Sequence, residues 1–163
     1  MAPRCERVME RGTGRWWVEN QTSHVKIEVE SEKDCVYISK CKEGGIVEIV
    51  GKCNSITLDN CQRTKVQFDT IISTFEIINC KKVWMGVKEV CPAVSIDKSD
   101  GVIVYLFDHT NPPEFIQSKS SEMNVQWVDP ATEDLVERVI PEQFKHSIVD
   151  GQITTTVSDL YTT

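Results

Sequence analysis

The chain has 163 residues, 40% of them hydrophobic and 26% charged, which is enough apolar material for one domain with its own core. A formal net charge of −7 argues against nucleic acid or an anionic membrane as the main partner, because both select a basic face. The longest apolar run, residues 102–107, falls far below the roughly 18 residues that a membrane-spanning helix needs.

Residues 1–15 carry charges throughout and two glycines. That text is no secretory signal, and it predicts a disordered tail in a cytoplasmic protein. In that compartment Cys5, Cys35, Cys41, Cys53, Cys61, Cys80 and Cys91 are expected to be mostly reduced. Trp16 and Trp17 follow, and one of the pair is read as an end cap shielding the first ladder of whatever comes next.

What comes next is a repeat. One apolar position recurs at Val18, Ile38, Leu58, Ile77, Ile96 and Ile116, in steps of 20, 20, 19, 19 and 20. The surrounding text is WVENQ, YISKC, TLDNC, EIINC, SIDKS and FIQSK. A period of this length is too short for a two-helix repeat, and each period holds two short alternating runs, such as SITLD followed by KVQFD. Such a unit buries its apolar side only by stacking on its neighbours. The expected fold is therefore all-β: a parallel β-helix of about six coils over residues 16–128, each coil stacked roughly 4.8 Å above the last. The leucine-rich repeat, a solenoid of similar period, is excluded by the absence of its L-x-x-L-x-L-x-x-N pattern.

Two columns mark one corner of the coil. Asn20, Lys40, Asn60, Asn79 and Lys98 occupy one position, and Asn is at home in the left-handed backbone that a sharp corner needs. Cys41, Cys61 and Cys80 follow directly and read as small buried residues. They lack C-x-x-C spacing, and His24, His109 and His146 fall in no matching register, so no metal or other cofactor is expected.

In the second run of each coil, polar residues alternate with apolar ones, leaving one face open to water or a partner. Trp84 lies on that open side and has two readings, a partner anchor or an edge residue packed under a loop. An enzyme built on this scaffold would place several carboxylates together on adjacent coils. The outward position before the corner reads instead Glu19, Ser39, Asp59, Ile78, Asp97 and Gln117, with Asp59 and Asp97 roughly 9.6 Å apart across Ile78. No phosphate loop, Ser/His/Asp set or H-E-x-x-H is present, and the chain is read as a binding protein without catalysis.

After residue 128 the repeat stops. Leu135, Val136, Val139 and Ile140 make one apolar stretch and residues 151–157 an alternating, threonine-rich one. With a turn signal at Asp150-Gly151, the two are expected to form a hairpin-like unit that caps its own β-helix or reaches a second molecule. Residues 129–163 are thus set apart as a C-terminal segment.

VENQ, NSITLDNC, FEIIN, the stretch KSSEMN at residues 119–124, PEQFK at 141–145 and the closing GQITTTVSDL resemble the C-terminal domain of the cyclase-associated protein family. The likeness runs from Trp16 to Leu160. It implies a right-handed parallel β-helix whose C-terminal strands are exchanged within a homodimer. It also implies binding of monomeric actin with preference for the ADP form, faster exchange of ADP for ATP, and a cytoskeletal association. Larger family members carry a helical domain, proline-rich segments and a second actin-binding motif ahead of this domain. None is found in this text, so cyclase association and help in severing filaments are not carried over.

The actin contacts that the resemblance implies are Lys119, Ser120, Ser121, Glu122, Met123 and Asn124 together with Thr154, Thr155, Thr156 and Val157. Lys98 stands near Lys119 on a neighbouring coil and adds local positive charge toward an acidic partner. Val139, Ile140, Phe144, Ile153 and Val157 are the expected dimer contacts. Three other readings stay open: a monomer-sequestering protein, a purely structural dimerisation module, and a GTPase-activating module like that of tubulin-folding cofactor C. The last needs an arginine in a Gln-x-Arg-x-His setting, and Gln62-Arg63-Thr64-Lys65 departs from it.

Overall fold

In this computed structural model, which describes residues 1–159, each period of the repeat becomes two strands. The six coils are β2 (Thr13–Glu19) with β3 (His24–Glu28), β4 (Cys35–Ser39) with β5 (Ile46–Cys53), β6 (Ser55–Asp59) with β7 (Lys65–Ile71), β8 (Thr74–Ile78) with β9 (Lys81–Val90), β10 (Ala93–Asp97) with β11 (Asp100–Leu106), and β12 (Glu114–Ser118) with β13 (Ser121–Val128). First strands stack in parallel as one sheet and second strands as the facing sheet, so the result is a β-solenoid. The core lies between the sheets, where Val18, Ile38, Leu58, Ile77 and Ile96 form a continuous buried row. Phe68 of β7 stacks on Phe75 of β8 with ring centroids 5.3 Å apart.

The corner chemistry follows the sequence. Asn20, Lys40, Asn60, Asn79, Lys98 and Lys119 all adopt positive φ, between 49° and 57°. The next residue closes each corner by a side-chain hydrogen bond to the carbonyl two residues back: Cys41 to Ser39, Cys61 to Asp59, Cys80 to Ile78, and then Ser99 to Asp97 and Ser120 to Ser118. The cysteine column thus continues as serine, a hydroxyl doing the work of the thiol. Cys61, between two other thiols and buried, has its pKa pushed up, and burial raises Cys53 and Cys91 to about 12. None of these three is poised to react as a thiolate.

Three expectations need correction. Residues 1–15 are not a disordered tail: β1 (Arg4–Glu10) pairs antiparallel with β2 and covers the first ladder. What holds it is the Arg7 guanidinium, bidentate to Asp34 at 2.8 and 2.9 Å. Trp16 Nε1 donates to the same carboxylate at 3.3 Å, and Gly14 leaves the room, since a Cβ there would meet both Arg7 and Asp34. The end is therefore capped by a strand, with Trp16 packed inward beneath it.

Ile116 is not a core position. Ile96 pairs with Gln117 and Ser95 with Ile116, so the last step is one residue longer and Ile116 faces out, 65% exposed. A slip of one residue turns every side chain to the opposite face. Phe115, in line with Val94, packs against the core instead, and Ser118 takes the outward place assigned to Gln117.

The C-terminal hairpin is built differently from the expected one. The stretch at Leu135 forms β14 (Leu135–Val139), antiparallel on the edge of β13. The partner of β16 (Gln152–Val157) is β15 (Phe144–Val149), turned at Asp150-Gly151, where both residues have positive φ as a tight hairpin turn requires. Residues 160–163 of the C-terminal segment lie outside the described residues.

The Arg7–Asp34 contact makes the first strand acid-sensitive. Arg7, chiefly through its hydrogen bonds, holds the Asp34 carboxyl below its ordinary range, and the side chain has no solvent exposure. A depressed folded pKa gives stability that is present above the unfolded pKa near 3.8 and is lost as pH falls through the folded one. In thermal unfolding, Asp34→Asn is expected to melt below the parent at neutral pH, with the gap closing below about pH 4. A gap that ignores pH would show that the contact is not acting as a charge pair.

Candidate functional site

The corner joining β12 to β13 is the KSSEMN stretch. Lys119 takes the left-handed corner conformation and is exposed. Ser120 is spent on structure, accepting from the Ser99 amide at 3.1 Å while donating to Ser118. Ser121 donates to Asp100 at 2.6 Å. Glu122 is exposed, again at positive φ, while Met123 is fully buried in the core and Asn124 is half-buried on the outer face of β13. Met123 therefore fixes the stretch from inside and presents no surface. Lys98 sits exposed at the equivalent corner one coil earlier, its amide bonded to the Ser118 carbonyl.

PEQF crosses this corner. The Ile140 amide donates to the Met123 carbonyl at 2.9 Å, Gln117 Nε2 donates to the Pro141 carbonyl at 3.3 Å, and the Glu122 amide donates to the Glu142 carboxylate at 2.6 Å. Two stretches 17 residues apart in sequence thus form one surface. Gln117 faces inward at the last coil, and its Oε1 is the buried side-chain polar atom without a partner among the described residues. Beside this surface Glu122 and Asn124 line a groove of about 370 Å³ with Lys65, Lys82, Trp84 and Ile103.

The hairpin residues stand elsewhere. Thr154, Thr155 and Thr156 are exposed on β16, and β15 and β16 are hydrogen-bonded only to each other as a sheet. Ile148 and Ile153 face each other across the hairpin at 75% and 67% exposure, and Phe144 pairs with a half-buried Val157. Val139 is exposed on β14, whereas Ile140 packs against the core. Within one chain β16 pairs with β15 and not with the strands that carry the KSSEMN corner.

The outward carboxylates form no acid–base pair. In the strand register Asp59 and Asp97 flank Ile78, and Asp59 accepts from Tyr37 at 2.6 Å, which raises the phenol to about 12. Arg63 lies 4.0 Å from Glu43 at another left-handed corner. Among the described residues no group of three or more His, Cys, Asp or Glu is arranged to hold a metal ion, and no helix is long and apolar enough to cross a membrane.

Sequence reasoning placed Trp84 outward but missed its company. Tyr105 stacks on it and Phe107 packs edge-on against Tyr105. The alternation of Ile103, Tyr105 and Phe107 against buried Val102, Val104 and Leu106 was the available signal.

Comparison with known proteins gives a consistent result. Residues 5–160 match the family model described as adenylate cyclase associated (CAP) C terminal. The chain is 38% identical over 158 residues to the adenylyl cyclase-associated protein of Dictyostelium discoideum, covering 94% of this chain and 34% of that one. It is 40% identical over 156 residues to adenylyl cyclase-associated protein 1 of Homo sapiens, covering 94% and 32%. The chain thus spans about a third of the length of these relatives. The crystal structure of cyclase-associated protein from Cryptosporidium parvum is similar with a TM-score of 0.86 at 28% identity, over 97% of this chain and 96% of that one.

Proposed function

Because the chain belongs to the cyclase-associated protein family, by way of that family's C-terminal domain, we propose that it binds actin monomers, prefers those carrying ADP, and speeds their exchange to ATP. The observation that carries this reading is the joining of KSSEMN and PEQF, two of the stretches on which the family resemblance rests, into one exposed corner beside a groove. A surface fixed by three hydrogen bonds, each with a backbone group on at least one side, is suited to rigid docking.

No catalytic residue is needed. A protein that binds actin with a loosened nucleotide cleft better than actin with a closed one raises the loosened population, by no more than its difference in affinity. A tenfold faster release of ADP requires only about 1.4 kcal/mol of such preference at the release barrier. We read the working form as a homodimer, in the cytoplasm and associated with the cytoskeleton, because the apolar residues of β15 and β16 are uncovered in one chain.

The test is the release of a fluorescent nucleotide from ADP-actin monomers, with and without an equal amount of the protein. Faster release is the expected result. Binding without faster release would make the chain a sequestering protein, and no binding would leave a structural dimerisation module.

A further inference from the structure

The outer face of β9 and β11 carries a preassembled aromatic strip. Trp84 and Tyr105 stack with centroids 6.0 Å apart and planes 23° apart, and Phe107 meets Tyr105 edge-on at 4.8 Å. Gly86 makes this possible, because a Cβ there would stand 2.6 Å from the indole and 3.1 Å from the Phe107 ring. The indole is thereby held across the sheet before any partner arrives, which lowers the ordering cost of binding.

Trp84 and Ile103 form the apolar floor of the groove beside Glu122, and Lys65 and Lys82 stand on its rim. Both lysines are exposed, and neither forms an ion pair among the described residues. On a chain of net charge −7, two ammonium groups without counter-ions beside an apolar floor define what fits. Carboxylates complement the rim, and an apolar side chain complements the floor.

We propose that this groove is the anchor pocket of the partner interface, taking one apolar side chain flanked by carboxylates on the partner's surface. The proposal rests on the actin reading and adds to it residues outside the family-like stretches. Trp84 supplies the apolar contact, Lys65 and Lys82 supply the charge match, and Glu122 on the opposite rim disfavours a partner whose anchor is flanked by bases.

The experiment titrates labelled ADP-actin monomers with the parent and with three variants. Trp84→Ala is expected to weaken binding at least about tenfold, as removal of a central aromatic anchor does. The double variant Lys65→Glu, Lys82→Glu changes only exposed side chains and so keeps the fold. It is expected to lose at least about tenfold at roughly 50 mM salt, with the loss shrinking several-fold at about 300 mM. Lys33→Glu, at an exposed turn before β4, should match the parent. If the parent binds and both groove variants bind within about twofold of it, the groove is not the anchor. If the parent itself does not bind, the actin reading fails first and the assignment of the groove goes with it.

Discussion

Aspartate at both Ile148 and Ile153 is expected to give a folded monomer that no longer speeds nucleotide release from actin. The two isoleucines face each other on the C-terminal hairpin at 75% and 67% exposure, and a two-fold dimer would cover both on each chain. Burying an isoleucine side chain is worth about 1.5–3 kcal/mol, so four of them supply several kcal/mol of association. An unpaired carboxylate in the same place costs more than that gain. The dissociation constant should rise by at least roughly a thousandfold, read by sedimentation. The monomer should stay folded, because neither residue is in the core, while melting below the parent, which association stabilises by mass action. A harsher variant that ends before Val139 would also strip the β13 edge of part of its partner β14, which is why the point changes discriminate better. A variant that remains dimeric would place the interface elsewhere, and a monomer with full exchange activity would separate self-association from function.

The solenoid was legible because stacking forces equivalent residues into equivalent positions. Val18, Ile38, Leu58, Ile77 and Ile96 recur for the same reason that their strands pair in register. Ile116 was misread because FIQSK imitates the repeat while the preceding loop, with Pro112 and Pro113, shifts the phase by one. The first strand was hidden for a different reason. Its charges look like a solvated tail, and their meaning depends on a carboxylate 27 residues away. Met123 was placed on the contact surface through the resemblance alone, although its alternation with Val125 already put it inside. β15 was missed because its six residues, Phe144–Val149, neither alternate apolar with polar nor bury a face, so only the pairing with β16 marks them as a strand.

Phe68→Ala is expected to destabilise the protein by about 3–5 kcal/mol, the range for removing a buried phenylalanine. Phe68 is buried at the middle of the solenoid, between Ile49 and Val87 of the coils on either side, and stacks on Phe75 across the core. The cavity has little means of closing. The strands around it are held at ladder spacing by hydrogen bonds to both neighbours, so their backbones cannot move inward without breaking register. In a solenoid each coil is stabilised mainly by its neighbours, and a defect at the centre therefore weakens contacts toward both ends. Urea unfolding distinguishes two consequences. A lower midpoint with unchanged slope means that all six coils still unfold together, whereas a shallower slope means that the chain now opens in two halves at the defect. Because β9 and β11, which carry the groove, stand beside β7 in the same sheet, actin binding should fall with the second outcome and survive the first below the midpoint. Phe68→Leu, which refills most of the volume, should recover the larger part of the loss. A cost below about 1 kcal/mol for the alanine variant would mean that the coils slide to fill the space, helped by the register shifts that follow Ile49 and Phe68 in the ladders on either side.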